Sequence, residues 1–245
     1  MDKTSPAIVI VPGLWETGSG VFDQLVAKLK EQELEVVVAE LRSTGHGSSD
    51  IITLQDDIVG IRSYIEPLVS KGREVVVAAH SAGGFSGSAA VEGLTRKSRN
   101  EAGQAGGVIG FAFICAGVYS RGATTVPPPF FEIKGEHVYG VDALSNLFNG
   151  LNDVNAQYWN SRMRPQPAAN WDAELRFTGH EEVKCHYLVC QQDRLLPVQL
   201  RQNFAAARAD VTECDAGHMV MLSQVDKLLQ FLLRAVENIT GRNHV

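Results

Sequence analysis

Residues 73–91 read REVVVAAHSAGGFSGSAAV, and this stretch decides the fold. Its first half is a short run of Val and Ala, which is typical of a strand buried on both faces of a parallel sheet. Its second half is rich in Ala and Gly and can continue as a tightly packed helix. One serine, Ser81, lies between the two halves with small residues on either side. This layout predicts a nucleophile elbow, the sharp strand-to-helix turn that holds a serine hydroxyl over the end of a sheet.

The pentapeptide around Ser81 departs from the pattern Gly-x-Ser-x-Gly at one position, because Ala79 stands where the first glycine is usual. Small residues are needed there because the strand and the helix cross closely at the turn. Ordinary strand-to-helix turns also contain such pentapeptides, with the serine capping the helix. The rest of the chain must therefore decide between a catalytic and a structural serine.

Composition and charge restrict the class of protein. The chain has 245 residues, of which 44% are hydrophobic and 20% charged, and one α/β domain of this length is common. A net charge of −6 gives no support to nucleic-acid binding. No apolar run reaches the roughly 18 residues that a membrane span needs. Residues 1–6 lack the apolar core of a secretory signal, so we expect a cytoplasmic protein that binds neither nucleic acid nor a membrane.

Strand and helix signals alternate along the chain, which predicts a mostly parallel sheet with helices on both faces. Strands are expected at residues 7–11, 35–41, 74–79, 107–115, 183–190 and 209–214. Helices are expected at residues 20–33, 53–70, 82–97, 197–207 and 219–238. Active sites in such sheets lie at the carboxyl ends of the strands, so residues that directly follow strands are the first candidates for function.

Residues 116–179 interrupt this alternation. The segment contains Phe130, Phe131, Tyr158 and Trp159, and it is too long for a simple connection and too aromatic for a disordered linker. We therefore expect a single domain over residues 1–245 in which a small cap, at about residues 116–179, covers the strand ends. A decorative surface insertion is the alternative.

A nucleophilic serine needs a base and an acid that orients the base, and both are available after later strands. Asp193 follows the strand expected at 183–190, and His218 lies between the last strand and the last helix. Asp215 is a rival orienting acid, but a neighbour so close in sequence cannot usually align with the ring. Ser81, Asp193 and His218 also follow the chain order serine, acid, histidine of nucleophile-elbow enzymes.

The oxyanion that forms during attack needs backbone amides as donors. We expect one from Ala82, directly after the serine, and one from Leu14, in the turn after the first strand. Residues expected to line the substrate pocket are Trp15, His46, Phe130, Phe131, Tyr158, Trp159 and Met219. His80 directly precedes Ser81, but adjacent side chains diverge, so a packing role is favoured over a catalytic one.

Metal and cofactor sites are not expected. Cys115, Cys185, Cys190 and Cys214 form no C-x-x-C pair, and all four lie in or beside apolar strand-like runs, so buried reduced thiols are predicted. The histidines lack partners at the spacing of zinc ligands, and neither common type of phosphate-binding loop is present. The sequence leaves the oligomeric state open, with a homodimer among the options.

Together these pieces resemble the α/β-hydrolase superfamily along essentially the whole chain. The closer likeness is to a branch of small esterase-like hydrolases, fungal-type relatives of plant methyl esterases and hydroxynitrile lyases. The matching stretches are Val11-Pro12-Gly13-Leu14-Trp15, Asp56-Asp57, Ala79-His80-Ser81-Ala82-Gly83-Gly84, Gly106-Gly107-Val108 and Ala216-Gly217-His218-Met219-Val220-Met221-Leu222-Ser223. The ordered set is far more specific than any one stretch.

The resemblance implies Ser81 as nucleophile, His218 as base, Asp193 as acid and the Leu14 and Ala82 amides as the oxyanion hole. Pro12 stands where many relatives have His, which removes a polar group beside the hole. The lyase members have Lys after the catalytic histidine and Thr near the oxyanion turn, where this chain has Met219 and Gly13. These differences argue against cyanohydrin cleavage and favour ester chemistry.

The leading functional hypothesis is a serine hydrolase that cleaves a carboxylic ester, lactone or thioester of a small apolar or aromatic molecule. A second hypothesis is a biosynthetic tailoring enzyme that uses the same residues for cyclisation, C–C cleavage or acyl transfer. A third is a non-catalytic small-molecule receptor on the same scaffold. The sequence does not identify the substrate.

Overall fold

A parallel six-stranded sheet forms the centre of the molecule. The computed structural model describes residues 5–125, 130–169, 173–196 and 209–242. The strands in these residues are β1 (Ala7–Val11), β2 (Val36–Val38), β3 (Glu74–His80), β4 (Gly107–Ile114), β5 (Thr124–Thr125), β6 (Phe131–Lys134), β7 (His137–Gly140), β8 (Gln166–Pro167), β9 (Ala173–Glu174), β10 (Lys184–Cys190) and β11 (Ala209–Cys214). The central sheet has the order β11-β10-β4-β3-β1-β2, and every neighbouring pair in it is parallel. The predicted fold class is confirmed.

Helices connect the strands, in most places where the sequence predicts them. They are α1 (Gly18–Val21), α2 (Asp23–Glu31), α3 (Leu54–Ser70), α4 (Gly83–Ala89), α5 (Arg96–Glu101), α6 (Ala143–Asn146), α7 (Asp153–Asn160), α8 (Val220–Ser223) and α9 (Val225–Thr240), with 3₁₀ turns at Ser48–Asp50 and Gly179–Glu181. The helix predicted at 197–207 lies outside the described residues. None of the helices in the described part of the chain is both long and apolar enough to cross a membrane.

Two predicted helices are each divided in two. The helix expected at 82–97 ends at Ala89, because Gly93 adopts a left-handed φ of 70° and Thr95 starts α5 as its N-cap. The helix expected at 219–238 is interrupted at Gln224, whose φ of −145° and ψ of 53° are not helical. The break at Gln224 precedes α9, which packs against β4 and β10 of the sheet.

The core lies on both faces of the sheet. On one face, Ile8 and Ile10 of β1 pack with Leu25 of α2 and Leu228 of α9. On the other face, Val9 and Val11 pack with Ile61 and Ile65 of α3. Alternate side chains of β1 therefore pack on opposite faces of the sheet, as the two-residue period of a strand requires. All four cysteines are buried free thiols, as predicted.

The segment 116–179 enters between β4 and β10. It contains a two-stranded antiparallel sheet of β5 and β9, a three-stranded sheet of β6, β7 and β8, and the helices α6 and α7. Hydrogen bonds connect it to loops at the carboxyl ends of β1 and β2. Trp15 Nε1 donates to the Val138 carbonyl at 3.0 Å, and the Gly45 amide donates to the Pro165 carbonyl at 2.7 Å. The segment therefore lies against the edge of the sheet where sites are expected.

Candidate active site

Ser81 lies in a strained turn between β3 and α4. Its φ of 52° is left-handed, which is uncommon for a residue other than glycine. The turn is held by three backbone hydrogen bonds: the Ser81 amide donates to the Ile114 carbonyl at 3.2 Å, and the Ser81 carbonyl accepts from Gly84 at 3.1 Å and from Gly117 at 2.9 Å. Strain of this kind persists where the surroundings enforce it, and it is most frequent at functional sites.

The small residues around Ser81 are required by close contacts. A Cβ atom on Gly83 would lie 2.6 Å from the carbonyl oxygens of both Val11 and Pro12. A Cβ atom on Gly13 would lie 2.7 Å from Cβ of Ser81. Real Cβ atoms do not approach backbone or neighbouring side chains so closely. The turn after β1 is thus pressed directly against the serine, as the predicted elbow requires.

His218 is oriented by Asp193. The imidazole Nδ1 of His218 lies 2.8 Å from Oδ2 of Asp193, and both side chains are almost fully buried. Oδ1 of Asp193 accepts hydrogen bonds from the amides of Leu195 and Leu196, at 2.8 and 3.1 Å. The carboxylate is therefore satisfied on both oxygens and has no freedom to turn away. Asp215, the rival acid, is exposed.

The loops that carry Asp193 and His218 are tied to each other. The Gln191 amide donates to the Cys214 carbonyl at 2.9 Å, and the Gln192 amide donates to the Ala216 carbonyl at 2.9 Å. These bonds extend the pairing of β10 with β11 beyond the strands themselves. The acid and the histidine are consequently held at a fixed separation, although 25 residues lie between them in sequence.

Ser81 and His218 line one cavity of about 530 Å³. Leu14, Trp15, Tyr158, Trp159 and Met219, all predicted site residues, lie in its wall. Trp159 reaches across to the opposite side, where a Cβ atom on Gly20 would be 3.5 Å from its ring. The cavity thus lies between the sheet edge and the segment 116–179.

Three predicted pocket residues do not line this cavity. His46 is half-exposed and pairs with Asp50 at 3.0 Å in the loop after β2. Phe130 and Phe131 pack edge-on against Trp15, with ring centroids 6.4 and 5.8 Å away. Their assignment to the substrate pocket stays a prediction. In the structure the two phenylalanines pack on Trp15, which itself lines the cavity, and His46 contacts its neighbouring carboxylate.

Two amides beside Ser81 are available as donors. Within the described residues, neither the Leu14 nor the Ala82 N–H donates a hydrogen bond to a protein acceptor. Ala82 directly follows the serine, and Leu14 lies in the cavity wall. They occupy the positions that the sequence predicts for an oxyanion hole.

A second buried serine–histidine pair is separate from this site. Ser88 Oγ lies 2.7 Å from His180 Nδ1, and neither residue lines the cavity that contains Ser81. The carboxylate of Asp193 contacts His218, which lines the cavity with Ser81. Ser88 lies within α4, where no elbow exposes its hydroxyl, and its contact to His180 holds the 3₁₀ turn at Gly179–Glu181 against that helix.

Sequence reasoning missed several polar residues of the cavity wall. Glu16, Arg162 and Arg164 line it but carry no recognisable motif. The only sequence signal for Glu16 was its position two residues after Leu14, in the turn after β1.

In the part of the chain that is described, no group of three or more His, Cys, Asp or Glu side chains is arranged to hold a metal ion.

Comparisons with known proteins identify the family. The sequence model described as "Alpha/beta hydrolase family" matches residues 8–231. A search of curated proteins finds no significant match.

Several solved structures are similar along their whole length. Polyneuridine aldehyde esterase has a TM-score of 0.76 and 19% identity, over 95% of this chain and 99% of its own. Tomato methylketone synthase I, complexed with 2-tridecanone, has a TM-score of 0.73 and 14% identity, over 96% and 99%. A pyrethroid hydrolase from Sphingobium faniae JZ-2 has a TM-score of 0.71 and 14% identity, over 98% and 100%. At these identities the likeness establishes the fold alone.

Proposed function

The chain belongs to the alpha/beta hydrolase family, and on that premise we propose that it is a serine hydrolase that cleaves a carboxylic ester of a small apolar or aromatic molecule. One observation carries the proposal. Asp193 and His218 are hydrogen-bonded at 2.8 Å, and His218 lies in the wall of the same cavity as the strained Ser81. A buried acid, a histidine and an elbow serine around one cavity are the parts that acyl transfer needs.

The first half of the proposed reaction forms an acyl-enzyme. Ser81 Oγ attacks the ester carbonyl, and His218 Nε2 accepts the hydroxyl proton. Asp193 stabilises the imidazolium through its contact with Nδ1. The carbonyl oxygen becomes an oxyanion that accepts hydrogen bonds from the Leu14 and Ala82 amides. When the intermediate collapses, the C–O bond to the alcohol breaks, and His218 gives its proton to the leaving oxygen.

The second half releases the acid. A water molecule gives a proton to His218 and attacks the acyl carbonyl, again with the oxyanion on the two amides. Collapse breaks the bond to Ser81, which recovers its proton from His218. The sum is one ester and one water consumed, and one acid and one alcohol formed. No redox step or cofactor enters this scheme.

The cavity wall supports an apolar or aromatic substrate. Trp15, Leu147, Phe148, Trp159 and Met219 lie in it, and all are wholly or partly buried. Ligand pockets of this kind use apolar walls for affinity and a few polar groups for orientation. The names of two similar structures, an esterase and a pyrethroid hydrolase, also fit ester cleavage. Residues 116–179 contribute Trp159 to this wall, and we propose that they form the cap over the site.

A panel of p-nitrophenyl esters tests the proposal. Parent protein should hydrolyse at least one ester with an apolar or aromatic acyl group, and Ser81→Ala should lower kcat by roughly 10⁴- to 10⁶-fold. Ser88→Ala is the matched control because its serine is buried and outside the cavity. Hydrolysis that is lost in Ser88→Ala and kept in Ser81→Ala would overturn the proposal. A parent that forms an acyl-enzyme but transfers the acyl group to an added alcohol in preference to water would favour the tailoring alternative.

A further inference from the structure

A buried pair of ionisable residues, Glu16 and His80, lies next to Ser81, and the proposed triad does not use it. His80 is fully buried, and Glu16 is only 5% exposed. Nδ1 of His80 lies 2.8 Å from Oε1 of Glu16, which is ion-pair distance, although the contact does not meet the geometry of a hydrogen bond. Burying a carboxylate and an imidazole is costly unless each is satisfied by partners. The second oxygen of Glu16 and the second ring nitrogen of His80 each contact the backbone of a neighbouring loop.

The second oxygen of Glu16 holds the oxyanion turn, which is the turn after β1 that contains Gly13 and Leu14. Oε2 accepts a hydrogen bond from the Gly13 amide at 2.7 Å. Gly13 directly precedes Leu14, the proposed oxyanion donor. A Cβ atom on Gly13 would lie 3.3 Å from both Glu16 Oε1 and His80 Nδ1. The turn is therefore packed between Ser81 and the ion pair.

The second nitrogen of His80 holds the loop of the proposed base. Nε2 of His80 lies 3.1 Å from the backbone carbonyl of His218, and the two imidazole rings are 4.7 Å apart between centroids. A carbonyl oxygen can only accept, so Nε2 must carry a hydrogen. The carboxylate on the other side favours a hydrogen on Nδ1 as well. The surroundings thus favour a doubly protonated His80.

The electrostatics of His80 agree with this protonation state. Burial by itself lowers the pKa of His80. The charge and hydrogen bond of Glu16, the His218 carbonyl and the charge of Asp193 act in the opposite direction, and together they raise the pKa above its usual value. The ring of Phe22 contributes an apolar edge contact. The two charges that raise the pKa of His80 are both carboxylates, and the titratable ring of His218 lies 4.7 Å away.

We propose that Glu16 and His80 are positioning residues that hold the oxyanion turn and the His218 loop in register with Ser81. The inference rests on the proposed function, since it assigns a role relative to that site. The pair connects three loops that follow three different strands: β1, β3 and β11. Neither side chain needs to touch the substrate, because Glu16 acts through the Gly13 amide and His80 through the His218 carbonyl.

The effect should fall on the transition state rather than on substrate binding. An oxyanion hole is occupied only as the carbonyl becomes tetrahedral. Glu16→Ala leaves the Gly13 amide without its acceptor and His80 without its counter-charge. Because removal of a whole donor costs about 10²- to 10³-fold in kcat, a displaced turn should cost on the order of 10- to 100-fold, with KM changed less than about 3-fold.

Glu16→Gln is the conservative variant. Its amide oxygen can still accept from Gly13, and its amide nitrogen can donate to a neutral His80. It should recover most of the activity that Glu16→Ala loses. Asp50→Ala is the matched control, because Asp50 has the same kinds of partner in an exposed loop: His46 at 3.0 Å and the Gly47 amide, three residues earlier, at 3.2 Å. It should keep the kcat and KM of the parent.

The deciding experiment measures the rate at which a fluorophosphonate labels Ser81 in four proteins: parent, Glu16→Ala, Glu16→Gln and Asp50→Ala. The kcat and KM of each protein are measured on one ester. The ¹⁵N resonances of His80 report its protonation state. Labelling should slow about 10- to 100-fold in Glu16→Ala only, and His80 in the parent should be doubly protonated at pH 7. Parent-like labelling in folded Glu16→Ala, a loss confined to KM, or a His80 in the parent whose Nε2 carries no hydrogen would overturn the inference. If Ser81 is labelled but no ester turns over, hydrolysis fails as the function while the labelling rates still decide the role of the pair.

Discussion

The imidazole of His218 and the carboxylate of Asp193 lie 2.8 Å apart, although they follow different strands and are separated by 25 residues in sequence. Both side chains are shielded from solvent, and the second oxygen of the carboxylate is held by two backbone amides. The ring can therefore present only Nε2 to the cavity. This contact fixes the tautomer on which the proposed chemistry depends.

Replacing Asp193 should be far more damaging than replacing Asp215. Asp193→Asn should lower kcat by roughly 10⁴-fold, because an amide at this place favours the wrong tautomer of the histidine. Asp215→Asn is the matched control, since Asp215 is exposed and Nδ1 of His218 is already bonded to Asp193. Steady-state kinetics of both variants on one ester give the comparison. The reverse ranking would show that Asp215 orients the base.

Two glycines in α4 should differ in how far the same substitution destabilises the protein. In Gly83→Ala the new methyl group would lie 2.6 Å from two backbone carbonyl oxygens, so we expect a loss of about 1–3 kcal/mol or more in the free energy of unfolding. In Gly87→Ala the nearest atom is a side-chain methyl group of Val11 at 3.3 Å, so stability should change by less than about 1 kcal/mol. Urea unfolding measures both. Equal stabilities would mean that the elbow is not packed as described.

Trp159 should control substrate choice, and Phe131 should not. Trp159 lies in the cavity wall, whereas Phe131 contacts Trp15 at a centroid distance of 5.8 Å outside the cavity. Trp159→Ala should change the ratio of kcat/KM between bulky and small esters by roughly 10-fold or more. Phe131→Ala should lower the free energy of unfolding and leave this ratio unchanged. An altered ratio in Phe131→Ala alone would place the substrate on the other side of Trp15.

The stability conferred by Glu16 should depend on pH through His80. The pKa of His80 is raised in the folded protein, so folding favours the protonated ring. Its contribution is fully present below the unfolded value of about 6.5 and is lost as the pH rises through the folded value. The difference in free energy of unfolding between parent and Glu16→Gln should therefore be largest near pH 6 and decrease toward pH 9. A difference that grows with pH would contradict a charged His80.

The fold and the candidate site could be predicted because their sequence signals are local; the fold is confirmed, and the catalytic roles stay a prediction. A run of Val and Ala before Ser81 indicates a buried strand, and parallel strands bring their carboxyl ends to one edge. Asp193 and His218 then follow from their places after strands and from chain order. The same reasoning predicted that His80 packs in the core, which the structure shows.

The lining of the cavity could not be predicted in the same way, because it depends on contacts between residues that are distant in sequence or that turn a side chain locally. Phe130 and Phe131 lie in the right segment, but Trp15 stands between them and the cavity, and no sequence pattern records this. His46 follows the correct strand, yet its local contact with Asp50 turns it away. Glu16 was missed because a single carboxylate after a turn is typical of a surface residue. Only the structure shows that His80 lies beside it.

Covalent labelling with a fluorophosphonate, followed by peptide mass mapping, tests the central claim most directly, because it needs no knowledge of the substrate. The account predicts a single adduct on Ser81 in parent protein and in Ser88→Ala, and none in Ser81→Ala. Folded parent protein that carries the adduct on Ser88 or another serine, or that remains unlabelled, would contradict Ser81 as the nucleophile.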